Sequence, residues 1–291
     1  MKRKHNKRLS LSPSSSLSFT NTIVKTAKPA TYFILLLLTY TLGYLSHHSL
    51  INTTELEPFQ VKTQCADPIP PGNTRRTLID RIFDGTSPFT DFPPPHAVDR
   101  LRHKKVEGWG SNDAVFENLI RNVKPQIIVE VGTFLGASAL HMAKVTQRLG
   151  LKTQIFCIDD FRSWVEFRDQ FDNISSLNGD TLLYYQFLQN IVTLNQTESI
   201  LPLPFSSELA LIKLCEWGVS ADLVEIDASH EFLSVWSDIN RGYRILRPGG
   251  VIFGHDYFFT ADNRGVKRAV DLFAKIHRLK VKIDGDHWIL I

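Results

Sequence analysis

Four carboxylates and two imidazoles in the C-terminal two thirds of the chain stand where chemistry could use them. Glu130 lies in the apolar run QIIVEV (126–131), while Asp159 closes QIFCID (154–159), Asp227 closes DLVEID (222–227) and Asp256 closes GVIFGHD (250–256). His230 follows in Asp227-x-x-His230, and His255 directly precedes Asp256. Carboxylate oxygens suit a hard divalent cation, and an imidazole with an ordinary pKa of roughly 6.5 can take a proton at neutral pH. The plainer alternatives are that strand-end acids only cap the next helix and that His230 only starts one. Between Glu130 and Ala143 the run EVGTFLGASALHMA carries Gly132 and Gly136, which allow close backbone approach just before a helix N-terminus. The spacing is not the G-x-G-x-x-G of a dinucleotide loop, and an acid at Glu130 suits a cationic ligand better than a pyrophosphate.

Placing these groups on one rim takes a parallel sheet, because ligands of such sheets sit beyond the carboxyl ends of the strands near the point where strand order reverses. The chain supplies the pattern. Strands are expected at 126–131, 154–159, about 199–203, 222–227 and 250–256, with a closing pair at 280–283 and 287–291 joined by Asp284-Gly285-Asp286. Helices are expected at 137–149, about 181–194, 207–217, 231–246 and 266–279, after an amphipathic helix over 112–123. The fold class is therefore α/β: a doubly wound, mostly parallel, seven-stranded Rossmann-like sheet with helices on both faces.

The N-terminal part is of another kind. Residues 1–28 carry seven Lys or Arg and no acid, leaving 26 basic against 30 acidic residues in the rest, so nothing there favours nucleic acid. Residues 29–51, around YFILLLLTYTLGYL, are expected to form a transmembrane signal-anchor helix. The basic flank keeps the N-terminus cytoplasmic and sends the rest into the lumen of the Golgi or endoplasmic reticulum. A cleaved signal peptide, or a plastid or mitochondrial transit peptide, is the alternative. Acceptor patterns for glycosylation at Asn52, Asn173 and Asn195 agree with a lumenal domain. The proline-rich stretch 52–97 reads as a stem with a short helix near 75–83, so the catalytic domain is expected over 98–291. Three cysteines are too few and too scattered for a disulfide framework or a zinc site, and Cys157 and Cys215 read as core residues.

Residues 130–143 resemble the first motif of class I S-adenosylmethionine-dependent methyltransferases, in the E-x-G-x-x-x-G-x-S form of the catechol-type O-methyltransferases, matched by Glu130, Gly132, Gly136 and Ser138. The resemblance implies that this loop, with Thr133 and Phe134, holds the amino-acid end of S-adenosylmethionine, and that Asp159 or Asp160 binds the ribose hydroxyls. Residues 226–257 resemble the metal-dependent branch that methylates sugar hydroxyls. This implies an O-methyltransferase acting on a sugar or small hydroxylated metabolite. Asp227, at the cofactor as well, and Asp256 would ligate a divalent cation such as Mg2+, with His255 where relatives can carry a third acid, and His230 would be the general base. Trp109 is expected near the cofactor. The aromatic-rich segment 161–199 would be a lid or a helix packed on the sheet. Competing functions are a catalytically inactive lumenal binding module and a nicotinamide-dependent oxidoreductase; the absence of Tyr-x-x-x-Lys weighs against the latter.

Overall fold

The computed structural model describes residues 31–44, 64–162, 176–177 and 180–291. The basic tail, the acceptor patterns at Asn52 and Asn173, and Trp164, Phe167 and Phe171 of the expected lid lie outside the described residues. Of the two compact units, the first contains one described helix, residues 31–44, and the second spans Lys62–Ile291.

Within the expected transmembrane helix over 29–51, residues 31–44 are helical, and the rest of that range lies outside the described residues. Among the described residues no helix is long and apolar enough to cross a membrane.

The second unit is built on one seven-stranded sheet: β1 (Ile127–Val131), β2 (Gln154–Ile158), β3 (Ile200–Leu203), β4 (Ala221–Ile226), β5 (Leu246–Gly254), β6 (Val281–Asp284) and β7 (His287–Leu290). Their spatial order is β3-β2-β1-β4-β5-β7-β6, with the first five parallel and β7 antiparallel to both of its neighbours. Strand order therefore reverses between β1 and β4, and the expected doubly wound sheet is what forms. A two-stranded ribbon at 176–177 and 180–181 stands apart from it.

Helices cover both faces, which is why β1 is buried along its whole length. On one side α2 (Ala114–Val123), α3 (Ala137–Arg148) and α4 (Leu182–Thr193) pack Phe116, Leu140 and Phe187 against Ile128, Cys157, Leu223 and Phe253. On the other, α5 (Ser207–Glu216), α6 (Phe232–Arg244) and α7 (Ala261–His277) pack Leu211, Ile239 and Phe273 against Val129, Val131, Val224 and Ile226. The period of two along β1 puts Glu130 on the α3 side, with Ile128.

Two expectations about the flanks change. The stretch read as a stem contains α1 (Pro71–Ile82), whose Leu78 is fully buried in the second core, and Ala66 and Ile69 donate backbone N–H groups to Cys215 and Gly218 at 3.0 and 2.9 Å. The domain thus reaches back beyond residue 98. Pro71, read as a breaker, occupies the first turn of α1, where a missing N–H costs nothing. Cys215 is also not a free core thiol: it forms a disulfide with Cys65, 150 residues away, and Cys157 stays free and buried.

Candidate active site

The first half of the rim is the turn from β1 into α3. Gly132 has φ +90, and a Cβ there would collide with the backbone carbonyl of Asp227, so the ends of β1 and β4 meet at a position only glycine fills. Gly136, at φ +82, is the N-cap of α3, and a Cβ there would press on Phe187. Ser138, two residues on, donates its hydroxyl to Glu130 Oε1, tying the helix to the strand beneath it. Glu130 is fully buried, and its other oxygen has no hydrogen-bond partner. Beside it in register on β4 lies a second buried carboxyl, Glu225. Desolvation raises both pKa values, most strongly that of Glu225, where Glu130 adds to the effect.

Asp159 staples the loop. Its Oδ2 accepts from the backbone N–H groups of Thr133 and Phe134 at 3.1 and 2.9 Å, and its Oδ1 from that of Phe161 at 2.7 Å. Burial pushes its carboxyl up to about 6 against the pull of those donors. Of the two acids expected at the ribose, Asp160 is the exposed one, with Oδ1 accepting from Arg162 N–H at 2.9 Å. Trp109 lies near the loop as expected, its ring 5.6 Å from that of Phe134.

The second half joins the ends of β4 and β5. His230 Nε2 lies 2.8 Å from Asp256 Oδ2. Asp227, His230 and Asp256 each turn one donor atom inward, and the three atoms lie within 4.8 Å of one another. His255 is placed differently from expectation. Only 9% of its side chain is exposed, its ring lies 4.6 Å from that of His287, and a Cβ on Gly110 would press on its Nε2. Its Nδ1 reaches Asp256 at 3.4 Å and Asp227 at 3.9 Å. The convergent set is therefore Asp227, His230 and Asp256, with His255 behind it.

The electrostatics follow from this crowding. Desolvation pushes Asp227 up to about 7, with Asp256 adding to the rise and the two histidines opposing it. Burial also works to raise Asp256, but hydrogen bonds from His230 and His255 prevail and hold it well below the usual carboxylate range. His230 is raised, first by its hydrogen bond to Asp256.

A clamp that sequence reasoning missed holds His230. Asp262 Oδ2 accepts from Phe232 N–H at 2.7 Å, capping α6 from another element, and a Cβ on Gly265 would collide with the His230 carbonyl. The ring of Phe259 meets the imidazole edge-on at 4.7 Å. Gly265, directly before the expected helix at 266–279, was the one signal of close approach in the sequence.

Residues 129–257 match a protein family described as a methyltransferase domain. Among solved structures, the chain is similar to an O-methyltransferase from Bacillus cereus in complex with SAH, at 15% identity, covering 74% of this chain and 95% of that one with a TM-score of 0.45. It is also similar to the O-methyltransferase TomG from Streptomyces achromogenes, involved in tomaymycin synthesis and in complex with SAM, at 13% identity, 77% and 90% coverage and a TM-score of 0.45. No curated protein matches the chain.

Proposed function

We propose that this chain, a class I S-adenosylmethionine-dependent methyltransferase by the domain it carries, transfers a methyl group to a hydroxyl oxygen of a sugar or small hydroxylated metabolite. The observation that carries the proposal is the His230–Asp256 pair at 2.8 Å, beside Asp227 and across the strand-order reversal from the glycine loop. S-adenosylmethionine supplies an electrophilic sulfonium methyl. The residues of the chain do the rest. The loop backbone and the N-terminus of α3 receive the amino-acid end, a helix N-terminus being suited to a carboxylate. With Nε2–H directed at Asp256, the His230 Nδ1 lone pair would take the hydroxyl proton as the O–CH3 bond forms and the S–CH3 bond breaks, its electron pair leaving with the neutral thioether, and Asp256 would stabilise the imidazolium.

The same three donors fit a divalent cation, since two carboxylates and an imidazole converge on one point. Such an ion would hold the acceptor hydroxyl and lower its pKa. An imidazole in the set suits manganese or zinc better than magnesium, which prefers oxygen donors.

Full-length protein, assayed with labelled S-adenosylmethionine against a panel of sugars and phenols, tests the reading. His230→Ala is expected to lower turnover by about 10²–10⁴-fold while leaving S-adenosylmethionine affinity intact. Unimpaired turnover in that variant would remove His230 from the chemistry. Activity that survives EDTA assigns His230 as the base, whereas activity lost to EDTA and regained with Mn2+ assigns it as a ligand.

The proposed setting is a lumen, with residues 29–51 as anchor. It is supported by the uncharged run that follows a basic tail and by the Cys65–Cys215 disulfide, a bond typical of oxidising compartments. Asn195 is exposed at the turn after α4, where a glycan has room.

A further inference from the structure

Beside the cofactor loop, between residues 104–112 and the outer face of α3, lies a cleft of about 540 Å³. That volume is in the range of small-molecule sites. Its polar lining comes from Lys104, Glu107, Asn112, His141 and Lys144, and its aromatic lining from Trp109, which is 53% exposed. His141 and Lys144, three residues apart, come from one face of α3, so helical spacing sets the imidazole next to an ammonium.

Two features of this cleft have no use among the described residues. Glu107 Oε2 is occluded from solvent and has no hydrogen-bond partner, while Oε1 has only Lys105 at 3.9 Å. The Glu107 side chain is 39% exposed, so Oε1 is the acceptor that a ligand hydroxyl can reach. Lys104 and Lys144, both exposed, have no carboxylate within ion-pair distance among the described residues. An aromatic face, an acceptor that needs hydroxyl donors, a side-chain amide and two unpaired ammonium groups together describe one kind of ligand.

We infer that this cleft binds an acidic sugar residue, the uronate part of a glycan, with its ring on Trp109, a hydroxyl on Glu107 and its carboxylate between Lys104 and Lys144. A polyphosphate suits the cleft less well, because Glu107 would face several negative charges rather than one. As a binding site the cleft stands independently of methyl transfer; as the acceptor's subsite it rests on the function proposed above.

The test is a calorimetric titration of full-length protein with trigalacturonate, with neutral maltotriose and ATP as competitors. Saturable binding of trigalacturonate, at least about ten-fold tighter than maltotriose and weaker at high salt, is expected. Lys104→Glu and Lys144→Glu are each expected to weaken it several-fold while S-adenosylmethionine affinity, measured in parallel, is unchanged. Lys144→Gln should act in the same direction and serves if the glutamate variants do not fold. Equal binding of the neutral sugar, tighter binding of ATP, or no effect of the lysine variants would overturn the inference. Wild-type protein that binds trigalacturonate but not S-adenosylmethionine would overturn the methyltransferase reading and leave this site standing.

Discussion

At the scale of single residues, His287 shows how a buried group sets an acid limit. Its side chain is 1% exposed, its ring packs on Phe116 at 5.3 Å and on His255, and Asp113 stands 3.6 Å from Nδ1. Desolvation lowers its pKa to about 4. The folded state therefore binds the proton less well than the unfolded chain. The stability this residue lends is complete above its unfolded pKa of about 6.5 and is lost as the pH falls towards 4, by at most about 3 kcal/mol. His287→Phe keeps a ring against Phe116 and removes the titration, so urea unfolding between pH 7 and 4 should show a flatter acid limb than wild type; an unchanged limb would exonerate His287. Residues differ in how far the sequence exposes them. Glu130, Gly132 and Ser138 were legible because a local spacing carries them. Glu225 was not, since its partnership with Glu130 is a matter of register between β1 and β4.

At the scale of elements, the segment after β5 is a clamp. Asp256 has φ +61, and Asp262, Asn263 and Arg264 have φ +47, +50 and +59, so regular helix in α7 begins only beyond them, close to the expected residue 266. Left-handed backbone at non-glycine residues costs roughly 1–2 kcal/mol each. The capping of Phe232 N–H by Asp262 and the contact of Gly265 with the His230 carbonyl offset that cost by fixing the loop that carries His230. Gly265→Ala is expected to lower kcat by about ten-fold or more through a misplaced imidazole, with S-adenosylmethionine affinity retained. Asp262→Asn, which keeps an acceptor oxygen, should restore most of the activity lost in Asp262→Ala. Equal turnover in all three variants would show that the clamp positions nothing. The helix itself was readable from its apolar period, but its entry was not, because backbone strain leaves no mark on hydrophobic spacing.

At the scale of the whole molecule, the Cys65–Cys215 bond ties the segment before α1 to the end of α5 across 150 residues. Cys65→Ser is expected to cost roughly 2–4 kcal/mol, read as a lower melting temperature under non-reducing conditions, with no difference between variant and wild type once both are reduced. A variant as stable as the oxidised parent would deny the bond a structural role. The sequence by itself determined the sheet, its helices and the rim, because alternation of apolar runs with a 3.6-residue period, and glycines next to acids, are local properties written residue by residue. Tertiary structure alone decided that Asp159 staples the glycine loop, that His230 rather than His255 joins Asp227 and Asp256, that α1 belongs to the domain, and that Cys65 meets Cys215. Each of these depends on which distant backbone comes within a few ångströms, a distance set by strand order and packing and not by spacing along the chain.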